Sequence, residues 1–86
     1  MSRTTHQLTE DFRLLGHVGA MQFPGWIMRH AGKLGLTGGV LTQSADCLEM
    51  RFSGPPELLD ALAIGCSLGP REVWVDRIER AVAGES

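Results

Sequence analysis

The apolar residues of this chain change period in an order that few folds can accommodate. Phe12, Leu14, Gly16 and Val18 alternate with Arg13, Leu15 and His17, the period-two signature of a strand with one buried face. From Phe23 to Leu34 the spacing becomes helical, and Phe23, Ile27, Ala31 and Leu34 form one stripe. Pro24 suits the first turn of that helix, where its missing N–H costs little, and Gly35 suits a left-handed cap at the end. Thr37–Thr42 reads as a glycine-weakened strand, and the polar stretch Gln43–Asp46 turns it into Cys47–Ser53. There Leu48, Met50 and Phe52 alternate with Cys47, Glu49 and Arg51. Gly54-Pro55-Pro56 opens a second helix, Glu57–Ser67, with Leu58, Leu59, Leu62 and Cys66 as its stripe and Gly69-Pro70 as its stop. Glu72–Ile78 is the last strand by this pattern.

The order strand, helix, strand, strand, helix, strand is the split arrangement of an α+β, ferredoxin-like βαββαβ sandwich. Two helices on one face of a four-stranded antiparallel sheet would bury both stripes together. Residues 1–10 carry no periodicity and read as a loose N-terminal leader, 11–80 as the folded domain, and 81–86 as a tail. At 86 residues there is room for one core, so a functional site must lie in a surface loop.

Composition narrows the function. A formal net charge of −2 with scattered Lys and Arg gives no footprint for nucleic acid or an anionic membrane. No apolar run is long enough to span a bilayer, and the polar N-terminus lacks a signal-peptide core, so a cytoplasmic location is expected. Cys47 and Cys66 fit no metal-ligand spacing with each other or with His6, His17 and His30. They read as reduced thiols, and no metal or cofactor is expected.

Several residues at consistent spacings make the chain resemble the acylphosphatases over about Phe12–Ile78. Gly16, Val18 and Phe23 match the motif G-x-V-Q-G-V-G-F-R. Ala31, Gly35, Leu36, Gly38 and Val40 match A-x-x-x-G-L-x-G-W-V-R-N. Leu48-Glu49 stands at V-E, Gly54 at the glycine before the second helix, and Gly69, Pro70 and Val75 match G-P-x-x-A-x-V. The resemblance implies a phosphate-binding loop over Gly19, Ala20, Met21, Gln22 and Phe23. It also implies an arginine holding the phosphate at the end of the first motif and an asparagine orienting the attacking water at the end of the second. This chain has Pro24 and Thr42 at those two positions. Ala20 and Gln22 replace loop glycines, Gly39 and Leu41 replace the tryptophan and arginine of the second motif, and Ala45-Asp46 replaces the hairpin D-G. Proline brings neither charge nor N–H, threonine lacks the amide's reach, and non-glycine residues resist the positive φ that a nest often requires.

The expectation is therefore an acylphosphatase-like domain without effective catalysis, with a binding or regulatory role and weak affinity for phosphate or acyl phosphate. Two alternatives are an acylphosphatase working through a rearranged site and a ferredoxin-like small-ligand sensor. Arg29, His17 and Arg13 are the cations that could stand in for the missing arginine. Trp26 and Trp74, both off the core stripes, offer contacts to a protein partner or a second copy.

Overall fold

The computed structural model describes residues 7–85, and the sequence pattern explains most of its elements. They are β1 (Leu8–His17), α1 (Phe23–Lys33), β2 (Thr37–Gln43), β3 (Cys47–Gly54), α2 (Pro56–Leu68) and β4 (Trp74–Glu85). The strands form one antiparallel sheet in the order β2-β3-β1-β4, which puts β1 and β3 at its centre.

Alternation along β1 and β3 sets the two faces of the sheet. Phe12, Leu14, Val18, Leu48, Met50 and Phe52 are fully buried under the helices. Phe23, Ile27 and Ala31 of α1 and Leu59, Leu62, Ala63 and Cys66 of α2 meet them. The other face, which carries no helix, presents Asp11, Arg13, Glu49, Arg51 and Glu79. There Arg13 lies 3.5 Å from Glu49 and 3.4 Å from Glu79, and Arg51 pairs with Asp11 at 2.6 Å. Helix α1 ends as the sequence suggests. The N–H of Leu36 donates to the carbonyl of Ala31 and that of Gly35 to Gly32, a Schellman closure in which Gly35 takes φ +77°.

Both ends of the chain differ from the sequence reading. The first strand begins at Leu8 rather than Phe12, so residues 8–10 belong to the sheet and not to a leader. Residues 1–6 lie outside the described region. The last strand does not end at Ile78. It runs on to Glu85 and pairs with β1 from Leu8↔Glu85 to His17↔Trp74, with bulges at Thr9/Glu10 and Leu15/Gly16. Residues 81–85 of the stretch read as a tail thus belong to an edge strand, and residue 86 lies outside the described region.

Arg80 explains why. Its guanidinium lies 5.2 Å over the Phe12 ring and donates to the carboxylates of Glu10 (2.9 Å) on β1 and Asp60 (2.9 Å) on α2. Glu10 is buried, 7% exposed, so this charge pair depends on both partners being present. Removing Arg80 would leave a desolvated carboxylate and strip cover from Phe12.

Two outcomes follow. Arg80→Ala should lower stability by roughly 2 kcal/mol in urea denaturation. Asp60→Ala, at an exposed carboxylate, should cost less than about 1 kcal/mol. Burial pushes the Cys66 thiol up from 9.0 to about 12. Because the folded value exceeds the unfolded one, the contribution of this thiol to stability is complete below pH 9.0 and is lost as pH rises toward 12. An alkylating reagent at mildly alkaline pH should therefore label half-buried Cys47 and reach Cys66 only in the unfolded chain.

Candidate functional site

The loop between β1 and α1 is held from below by the turn that joins β2 to β3. The N–H of Gly16 donates to the carbonyl of Asp46 (3.2 Å) and the N–H of Val18 to that of Ala45 (3.0 Å). Gly19 then passes so close to this turn that a Cβ there would stand 2.8 Å from the Ala45 Cα. A side chain at 19 would push the two segments apart. No non-glycine residue in the described chain takes a positive φ. Ala20 and Gln22 therefore sit in the loop without the backbone strain expected of glycine replacements.

Gln43, at the end of β2, fixes the orientation of the loop. Its Nε2 donates to the carbonyls of both Val18 (2.9 Å) and Ala20 (2.9 Å). All peptide bonds here are trans, and in a planar trans unit the N–H points opposite to the C=O. With both carbonyls drawn toward Gln43, the N–H groups of Gly19 and Met21 are turned away from it. Among the described residues, the N–H groups of Gly19, Ala20, Met21, Gln22 and Gly25 donate to no protein acceptor. Phe23 donates back to Ala20 (3.1 Å) as α1 begins. The loop thus keeps a run of unspent donors at the positive end of a helix, the arrangement that receives anions.

Sequence reasoning did not find Gln43. The reason is a bulge in β2, where Val40 opposes Met50 and Thr42 opposes Glu49, leaving Leu41 extra. Thr42 therefore faces the helix-free side, and its hydroxyl donates to the Glu49 carboxylate (3.1 Å). The next side chain, Gln43, faces the loop. Only the register of β2 against β3 carries this information.

The remaining candidates separate clearly. Pro24 sits in the first turn of α1 and contributes no donor. At Gly39, in the tryptophan position of the motif, the Met28 sulfur lies 3.9 Å from where a Cβ would be. Arg13 is committed to Glu49 and Glu79, and His17 pairs with Trp74 in the sheet. Arg29 makes no ion pair among the described residues. Trp26 is half-buried, packed near Phe23 and stacked on His30 at 5.4 Å, so it covers the core edge. Trp74 is 64% exposed, with its indole N–H bonded to Asp76. Met21, at the loop, is 92% exposed.

A separate concavity lies on the opposite face of the sheet. A basin of about 270 Å³ on the helix-free face is lined by Asp11, Arg13, Leu41, Glu49, Glu79 and Arg80, among others. Its three carboxylates make it a poor receptor for an anion. Among the described residues no group of His, Cys, Asp or Glu could hold a metal ion.

Comparison with known proteins bears on the family and the fold. A family model described as Acylphosphatase matches residues 10–86. The chain is 34% identical to an acylphosphatase of Rhodospirillum rubrum over 64 residues, 74% of this chain and 70% of that one. It is also 34% identical to an acylphosphatase of Azorhizobium caulinodans over 68 residues, covering 79% and 73%. Its fold is similar to that of an acylphosphatase from Coxiella burnetii, with a TM-score of 0.84, 20% identity, and 93% of this chain and 84% of that one covered. Part of full-length HypF is similar too, at a TM-score of 0.84 and 19% identity, with 96% of this chain but 11% of HypF covered.

If Gln43 orients the loop, Gln43→Leu should lower stability by about 1 kcal/mol. Amide exchange should accelerate at Val18 and Phe23, the loop positions whose N–H groups are bonded, and more there than in the sheet.

Proposed function

We propose that this chain, which belongs to the acylphosphatase family, binds the phosphate end of an acyl phosphate and turns it over at close to the uncatalysed rate. The reading is that of a binding or regulatory domain built on an enzyme scaffold. The observation that carries it is a split within one site. Gln43 keeps the loop carbonyls turned away and leaves N–H donors free for an oxyanion. The positions expected to supply the cation and to orient water hold Pro24, which has no charge, and Thr42, whose hydroxyl is bonded to Glu49.

The chemistry explains how binding and catalysis can part company. In hydrolysis, the oxygen of water attacks phosphorus as the P–O bond to the acyl carboxylate breaks. The carboxylate departs with the bonding pair, and the proton of water passes to solvent. The anhydride is already reactive, so the protein contributes mainly placement of the water and stabilisation of charge on the phosphoryl oxygens. Free backbone N–H groups favour the phosphoryl oxygens in the ground state and in the transition state alike. That uniform binding gives affinity without acceleration. Loss of a phosphate-binding arginine removes on the order of a thousandfold in rate.

Exposed Trp74 and Met21 support a role that includes a protein contact, since both offer apolar surface outside the core. The curated relatives named acylphosphatase favour a second reading, true hydrolysis through a rearranged site. The test separates the two. Titration with inorganic phosphate or acetyl phosphate should move the amide signals of residues 19–23 and of Gly25, while benzoyl phosphate hydrolysis stays within a few-fold of buffer. Pro24→Arg should then raise turnover by about tenfold or more. Wild-type turnover a thousandfold above buffer would establish the hydrolase instead, and a loop that ignores phosphate would remove the oxyanion site altogether.

A further inference from the structure

We infer that Arg29 reaches back over the first turn of α1 to bind a phosphoryl group held by the loop, adding affinity in place of the cation that position 24 lacks, while Thr42, bonded to Glu49, leaves no group to orient water for turnover. This rests on the reading of the β1–α1 loop as an oxyanion site and names the side chain that completes it. Residues 25 and 29 are neighbours on one helix face, and helical side chains lean toward the N-terminus. The Arg29 Nη1 stands 3.7 Å from the point where a Cβ of Gly25 would be. The missing side chain at 25 leaves that space to the guanidinium, next to a residue whose N–H has no protein acceptor.

The surroundings point the same way. From Val18 to Ala45 the sequence contains no Asp or Glu, although the chain has ten of them. Arg29 and Lys33 are the only Lys or Arg in that span. Lys33, one turn behind, repels Arg29 toward the N-terminal end, and the stacked pair Trp26–His30 occupies the adjacent row. In the free protein this cation therefore lies near the positive end of a helix dipole, with a like charge behind it and no carboxylate partner among the described residues. A phosphate dianion at the loop compensates all three. Arginine suits the task better than lysine, because its planar fork can bond two phosphoryl oxygens at once.

The experiment is a phosphate titration of the full chain followed by amide and arginine Nε–H resonances, for wild type, Arg29→Gln, Arg29→Lys and Lys33→Gln. Arg29 is exposed, so thermal melting of all variants should match wild type. The expected result is a wild-type loop that responds to inorganic phosphate, with the Arg29 Nε–H moving in step. Arg29→Gln should weaken binding about tenfold or more, Arg29→Lys should recover part of it, and Lys33→Gln should change it less than about threefold. Equal affinity in wild type and Arg29→Gln, with the loop still responding, would overturn this inference and leave the oxyanion site standing. A wild-type loop that does not respond would overturn both.

Discussion

Strand β1 is the constraint on which the rest of the molecule depends. It is hydrogen-bonded along both edges, to β3 on one side and β4 on the other. Its alternate side chains Phe12 and Leu14, with Val18 just beyond it, are buried where the sheet meets the helices. A one-residue slip would expose that set and bury Asp11 and Arg13 instead. The same strand delivers the chain into the loop at Val18, so the precision of the core is passed to the candidate site. The N–H bonds of Gly16 and Val18 to the β2–β3 turn complete that transfer.

The fold was legible where burial and local period coincide, as in Cys47–Gly54 and the stripe Phe23, Ile27 and Ala31. It was not legible at the ends. Residues 8–10 and 79–85 join the sheet through backbone pairing and a charge pair, Glu10 with Arg80, that spans most of the chain. A polar pair of that kind leaves no apolar alternation to read. Periodicity saw a leader and a tail where the protein has the two strands that zip its edge.

The candidate site divides in the same way. Motif spacing located the loop and identified Pro24 and Thr42 as departures, but motif spacing carries no information about parity. The bulge at Leu41 turns Thr42 onto Glu49 and gives the loop to Gln43. The glycine replacements in the loop proved less consequential than their residue types suggested, because the backbone there needs no positive φ. On the proposed reading, the loop is an anion receptor whose charge has shifted along the helix. Backbone donors come from the loop, their direction from Gln43, and the field from a segment without carboxylates. Affinity for a phosphoryl group can survive such a change more readily than catalysis, because binding needs donors while acceleration needs water and charge placed against one transition state.

The central claim is that the β1–α1 loop still receives a phosphoryl anion, and a crystal structure grown with inorganic phosphate tests it most directly. The account predicts a tetrahedral anion within hydrogen-bonding distance of the N–H groups of Gly19 and Met21, with the Gln43 amide still on the carbonyls of Val18 and Ala20. An anion bound only on another surface, or a loop whose carbonyls have turned to face that position, would contradict it.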